Sequence, residues 1–148
     1  MPTHYSGSPD AVRALDAYIK LTRAADSVNE RINASLTQHR LTVSQFGVLE
    51  ALYHLGPLYQ HELAAKILRS TGNITHVIDQ LEARRLVERQ RSVEDRRYIA
   101  VHLTNDGRDL IAGILPDHVA RVVETFGCLT AQEQETLALL CRKLGLGG

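Results

Sequence analysis

The chain of 148 residues has no tryptophan, one methionine, two cysteines and only 5% aromatic side chains. So few rings offer little platform for stacking successive unpaired bases, which argues against single-stranded nucleic acid as a ligand. The cysteines, Cys128 and Cys141, form no CxxC pair and cannot build a zinc ribbon or a disulfide framework. Both lie in apolar, helix-periodic surroundings, where a thiol is expected to serve as a small buried hydrophobe. No apolar run approaches the ~18 residues a membrane helix needs. The start, MPTHYSGSPD, has no basic segment leading into an apolar core, so the expected location is the cytoplasm, away from any membrane. Seven histidines are present (His4, His39, His54, His61, His76, His102 and His118), and no two stand three or four apart as metal ligands on one helix face would. His61-Glu62 opens like a zinc-protease HExxH, but Ala65 occupies the closing position. Neither a glycine-rich phosphate loop nor a GxSxG elbow occurs, so neither a catalytic constellation nor a cofactor or metal site is expected. Charge of one sign is lacking too: 17 basic residues balance 17 acidic ones.

What the chain does have is 44% hydrophobic content, enough for a real core in one domain, and a densely patterned stretch from Tyr59 to Leu103. Two short helical runs come first. In the second, Ile74, Val77, Ile78 and Leu81 recur at i, i+3, i+4 and i+7, one buried stripe on a 3.6-residue period. The opposite face carries Thr71, Asn73, Thr75, His76, Asp79 and Gln80, short hydrogen-bonding side chains suited to base edges in a major groove. LVERQRS and YIAVHL then alternate like strands around the polar loop SVEDRRY. A helix pair followed by a basic hairpin predicts a winged helix-turn-helix.

Charge concentrates in the same place. Residues 59–103 hold eight bases and six acids, a balance of +2, and Arg84 to Arg97 alone contains six arginines against three acids. Arginine runs are usually solvated surface; this one coincides with the motif, which is what turns a charge run into a footprint for duplex DNA.

The runs GPLYQHELAAKI, STGNITHVIDQLEARRLVER and SVEDRRYIAVHLTNDGRDLI together resemble the MarR family of bacterial transcription regulators. Asp95 and, two residues on, Arg97 match the family's wing signature, and Leu103, Thr104 and Gly107 match the LTxxG that opens its next helix. The similarity covers about residues 10–145. Arg85 stands where the family usually has glycine, at a left-handed helix end that costs a side chain roughly 1 kcal/mol. The resemblance implies a homodimer that binds double-stranded DNA. FGVLEALYHLGP and the ITHVIDQLE run look nearest to members that respond to quinones and other phenolic compounds.

Around this centre the chain reads as mainly α with a small β-hairpin wing. Residues 1–40 are expected to supply the first helix of a dimerisation region, 41–103 the DNA-binding domain, and 104–148 the remaining dimerisation helices. Ser8, Pro9 and Asp10 start a helix expected to run to about Gln38, with Leu15, Tyr18, Ile19, Ala25, Val28, Ile32 and Leu36 as its stripe. Thr42 and Gln45 form a capping box with a Leu41/Phe46 staple, and Val43, Phe46, Leu49, Leu52 and Tyr53 are expected to face inward until Gly56-Pro57 stops the helix. Pro57 to Tyr59 is a candidate edge strand, Gln60 to Leu68 a helix, and Arg69 to Gly72 a turn. Ile99, Val101 and Leu103 should pack on the helices, leaving the other side of that strand wet. Thr104 caps a helix bent near 112–116 by Pro116. Thr130 and Glu133 cap the last helix, where Leu137, Leu140, Cys141 and Leu144 share a face and Gly145 ends the run.

The terminal helices carry more apolar surface than a small winged domain covers, which predicts a dimer interface. Candidate DNA-contacting residues are Ser70, Thr71, Asn73, Thr75 and His76 at the start of the reading helix and Arg91, Asp95, Arg96 and Arg97 on the wing. Capping is an equal use for Ser70 or Thr71. Tyr18, Tyr53 and His54 are candidates for a site between the first, second and fifth helices, taking a small phenolic, quinone or aromatic-acid effector. The function expected is a sequence-specific regulator, a repressor released from a pseudo-palindromic operator by such a ligand. The alternative is a winged-helix module that binds a protein partner and does not read DNA.

Overall fold

A computed structural model describes residues 3–67 and 73–147. The elements are α1 (Pro9–Asn33), a 3-10 segment (Ala34–His39), α2 (Val43–Leu55), β1 (Leu58–Tyr59), α3 (Gln60–Ile67), α4 (Ile74–Ala83), β2 (Val87–Arg91), β3 (Ile99–Leu103), α5 (Asn105–Phe126) and α6 (Ala131–Gly145). They fall into two compact units, Ser35–His118 and Met1–Ala34 with Val119–Gly148. No helix among the described residues is long and apolar enough to cross a membrane.

The central unit is a winged helix. Its core is built by Leu36, Phe46, Leu49, Leu52, Leu63, Ile78, Leu81, Val87, Val101 and Ile111. The Val77, Ile78 and Leu81 stripe of α4 is buried, as its period requires, and Ile74 is half-buried. β3 is the middle strand of an antiparallel sheet of order β1-β3-β2. Leu58 and Tyr59 pair with Val101 and Ala100, so the edge strand anticipated before α3 forms. On its other side β3 pairs with β2 from Val87↔Leu103 to Arg91↔Ile99. Val101 is fully buried, but Ala100 and His102 are half-buried, so the face expected to be wet is partly covered.

Helix ends follow local chemistry. Ser8 Oγ accepts from Ala11 N, and Thr42 with Gln45 and Thr130 with Glu133 form full capping boxes. Gly56, at φ 79°, ends α2. Two further ends share one design. Leu41 N donates to Leu36 O and Arg40 N to Thr37 O; Leu86 N donates to Leu81 O and Arg85 N to Glu82 O. These are Schellman turns, each closed by a buried leucine pair, with Arg40 (φ 56°) and Arg85 (φ 60°) in the left-handed position that glycine usually takes. Arg85, which departs from the family's usual glycine, keeps the left-handed turn all the same, and Arg40 repeats it.

The entry to α5 accounts for the LTxxG motif. Thr104 Oγ1 donates to Arg85 O at 2.7 Å and accepts from Gly107 N at 3.0 Å, while Thr104 N reaches Leu86 O at 3.1 Å. A Cβ on Gly107 would lie 2.0 Å from Leu86 O, so this approach of helix to strand requires glycine. α5 then runs through Pro116 without interruption.

Three expectations are corrected. The α-helix beginning at Pro9 ends at Asn33, and the chain continues to His39 as a tighter 3-10 helix, a common way to finish a helix whose last carbonyls lack partners. Val43 is 59% exposed, because at the first helical position it lies past the edge of the arc formed by Gln45, Val48, Leu49 and Leu52. Cys128 and Cys141 are both exposed in the isolated chain. In the terminal unit α6 has no buried residue and α1 only Ile32, so Leu139, Leu140 and Leu144 stand 68%, 59% and 65% exposed.

Candidate nucleic-acid interface

α4 presents its first turn and one flank to solvent. Asn73 is the N-cap, its Oδ1 accepting from Thr75 N at 2.9 Å, so the capping role weighed for Ser70 or Thr71 falls one turn later. Ser70 and Thr71 themselves lie outside the described residues. His76 is exposed and makes no hydrogen bond among the described residues. Thr75 is exposed, and its Oγ1 accepts from Gln60 Nε2 at 2.9 Å. Asp79 and Gln80, read as part of the same polar face, are exposed but have partners within the protein: Asp79 pairs with Arg89 at 2.7 Å, and Gln80 Oε1 accepts from Gln45 Nε2 at 2.9 Å. Asn73, Thr75 and His76, all exposed, make up the first turn of the helix and its cap among the described residues.

The wing loop is ordered by its own polar groups. Ser92 N donates to Tyr98 O at 2.9 Å and Tyr98 N to Asp95 O at 3.0 Å, closing the turn. The Asp95 carboxylate accepts from Arg97 N, Nε and Nη2 at 3.0, 3.0 and 2.6 Å, a forked pair that fixes the guanidinium. The Arg97 side chain bond, then its backbone N–H, holds the Asp95 carboxyl below its ordinary range, and the same pairing raises Arg97. Arg97 remains 83% exposed, lying 5.9 Å from the Tyr98 ring centroid. Tyr98 packs in turn on Tyr59 and His61, with centroids 5.3 and 5.1 Å away, so rings from β1, α3 and the wing make one cluster. Arg91 Nη1 donates to Arg96 O at 2.7 Å, drawing Arg91 across the hairpin, and Arg96 is exposed.

Arg84 and Arg89, counted towards the footprint, also commit their guanidinium groups to other parts of the protein. Arg84 donates from Nη1 to Arg40 O at 2.6 Å and from Nη2 to His39 O at 3.1 Å, satisfying carbonyls at the end of the 3-10 segment. Arg89, 19% exposed in its side chain, pairs with Asp79 and Glu82. Strand alternation was the available signal for Arg89: it shares a face with the buried Val87.

Of the proposed ligand residues, Tyr53 and His54 adjoin on α2, ring centroids 5.4 Å apart, and the Arg108 guanidinium lies 5.7 Å from the Tyr53 centroid. Tyr53 is half-buried and His54 exposed. Tyr18 belongs to the terminal unit and is 63% exposed.

A helix-turn-helix with a polar, open reading helix, followed by an arginine-tipped hairpin, defines a winged-helix DNA-binding protein. The MarR family model matches residues 41–99, and the chain is 36% identical over 134 residues to the HTH-type transcriptional regulator MhqR of Bacillus subtilis, covering 90% of this chain and 92% of that one. The chain belongs to the MarR family and is a DNA-binding transcription regulator, not an enzyme. Among solved structures, BpsR of Bordetella bronchiseptica, whose DNA binding is regulated by 6-hydroxynicotinic acid, is 28% identical and superposes with a TM-score of 0.77 over 98% of both chains. Sco3205 of Streptomyces coelicolor, solved with DNA, shares the fold at a TM-score of 0.85 and 22% identity, covering 98% of this chain and 92% of that one.

Proposed function

We propose that the chain acts as a homodimeric repressor of a pseudo-palindromic operator and lets go of it when a small aromatic molecule binds. The observation that carries the DNA-reading part is the open first turn of α4 beside a wing whose Arg97 is held in place by Asp95. In this reading Asn73, Thr75 and His76, with Ser70 and Thr71, meet base edges in the major groove. Arg91 and Arg96 follow phosphates, and Arg97 enters the neighbouring minor groove. Residues 41–103 do the reading, while 1–40 and 104–148 join two copies. The exposed leucines of α6 and the nearly unburied α1 support that division, since apolar faces of this size rarely stay in water. A two-fold dimer presents two reading helices about one DNA turn, ~34 Å, apart.

The effector is proposed to be a phenol, quinone or aromatic carboxylate that uses Tyr53 and His54. The regulated relative from Bordetella bronchiseptica, which responds to 6-hydroxynicotinic acid, supports that chemical class.

Selection of duplexes from a random library, followed by gel shift and sedimentation of the complex, tests the DNA reading. The expected result is a selected site with two inverted half-sites bound by one dimer. A protein that enriches no sequence, or that sediments as a monomer both free and on DNA, overturns it and leaves the protein-interaction module as the better account.

A further inference from the structure

The pleat of β2 turns Val87 and Arg89 towards the helices and Glu88 and Gln90 outward. Val87 fills that inner face with an aliphatic side chain; Arg89 fills it with a charge. Its guanidinium is nearly saturated. Nη1 donates to Glu82 Oε1 at 3.0 Å and lies 2.7 Å from Asp79 Oδ1, Nε donates to Gln60 Oε1 at 3.2 Å, and Nη2 donates to Thr75 O at 3.0 Å. The backbone N of Arg89 adds a bond to Glu82 Oε2 at 3.1 Å. Gln60 closes the circuit, since its amide accepts from Arg89 and donates to Thr75 Oγ1 at 2.9 Å.

Three elements meet at this one side chain: the first residue of α3, successive turns of α4 from Thr75 to Glu82, and the strand that leads into the wing. Their mutual angle decides whether α4 can lie in a groove while the wing reaches the DNA beside it. Two carboxylates already balance the charge, so little of it remains for a phosphate. We propose that Arg89, with Gln60 as its link to Thr75, is a positioning residue for DNA reading: it sets the angle between reading helix and wing without touching nucleic acid. This rests on the DNA contacts proposed above.

A guanidinium is required, because only its planar fork reaches a carboxylate, an amide and a carbonyl in three directions at once. The probe is the duplex that the wild-type protein selects from a random library, with the unselected pool as the non-specific reference. Arg89→Met is expected to lower the ratio of selected to random binding at least tenfold while the salt dependence keeps its wild-type slope. Arg89→Lys is expected not to restore it. Gln60→Ala should give a severalfold loss in the same direction, and its effect should be non-additive with Thr75→Ala in a double-mutant cycle. A slope lowered by about one phosphate equivalent in Arg89→Met would place Arg89 on the DNA backbone and overturn the proposal. Wild-type discrimination in both Arg89→Met and Gln60→Ala also overturns it. Should Arg89→Met fail to fold, by circular dichroism and thermal unfolding, Gln60→Ala decides alone: unchanged discrimination ends the proposal, and the severalfold loss sustains it. If Thr75→Ala and His76→Ala leave discrimination intact, the base-contact reading fails separately, whatever Arg89 does.

Discussion

Arg97 and Arg89 show how differently one residue type behaves on the two faces of a hairpin. Arg97 is exposed and held by Asp95 from two residues away, so the pair forms within the loop itself. That spacing made it legible in the sequence. Arg89 was counted with the surface arginines because a charge count carries no direction; only the strand's alternation, read together with Asp79 and Glu82 three apart on α4, points it inward. For Arg97→Ala, operator affinity should fall strongly and the salt slope should drop by about one phosphate equivalent, with the circular dichroism spectrum and dimer unchanged. An unaltered slope would return the pair to an ordinary surface contact. The pairing also has a pH signature. The Asp95 carboxyl is depressed in the folded state, so its contribution is present above its unfolded value and is lost as pH falls through the lower folded one. The wing should hold its geometry throughout the neutral range, and an NMR titration of Asp95 should give a midpoint below that of an ordinary aspartate. Arg85 tests backbone strain. At φ 60° its side chain costs roughly 1 kcal/mol, part of which glycine gives back through greater freedom in the unfolded chain. Arg85→Gly should be neutral to stabilising by up to about 1 kcal/mol in thermal unfolding, and a clear loss of stability would show that the arginine side chain contributes contacts of its own.

Elements were legible where a local signal fixes them. Capping boxes at Thr42 and Thr130, the stop at Gly56 and the strand alternation before and after the wing loop each depend on residues within a few positions. The passage from α1 into the 3-10 segment was not legible, and the carbonyls at that segment's end are met from afar: Arg84, the C-cap of α4, donates to His39 O and Arg40 O. A periodic count also does not say where the buried arc of a helix stops, and Val43 lies outside that arc. The LTxxG motif lies between these cases. Its residues were visible, but the reason for the glycine is the Leu86 carbonyl, which lies where a Cβ would be. Gly107→Ala must push the start of α5 away from Leu86, straining the Thr104 bonds to Arg85 and Leu86. Backbone cannot yield as a flexible side chain does, so a loss of about 1–3 kcal/mol is expected in chemical denaturation. A loss below ~0.5 kcal/mol would mean that helix and strand separate more easily than the close approach implies.

At the scale of the molecule the sequence showed apolar surface in excess but not its destination. Leu137, Leu140 and Cys141 were expected to be covered, and in the isolated chain their helix has no buried residue. In the proposed dimer a second copy covers that helix, and the operator is read by two copies at once. That makes release by a ligand a question of differential affinity. A small aromatic molecule can free the operator only by binding the DNA-incompetent arrangement more tightly than the competent one, and bound DNA must then weaken the ligand by the same factor. In the proposed site Tyr53 and His54, adjacent on α2, would give such a molecule a ring to pack on and a polar partner, with the Arg108 guanidinium beside Tyr53 for a carboxylate or phenolate. Titrating phenols, quinones and aromatic carboxylates into the protein–operator complex, with calorimetry on the free dimer, should therefore find a ligand whose affinity falls when operator is present. A coupling of about 1–3 kcal/mol, read as a 5- to 150-fold change, is the size such systems show. Tyr53→Ala should abolish that coupling while leaving DNA affinity in the absence of ligand near wild type. If no compound of these classes binds, or one binds equally well with and without operator, the chain is a constitutive DNA-binding protein and its control lies elsewhere.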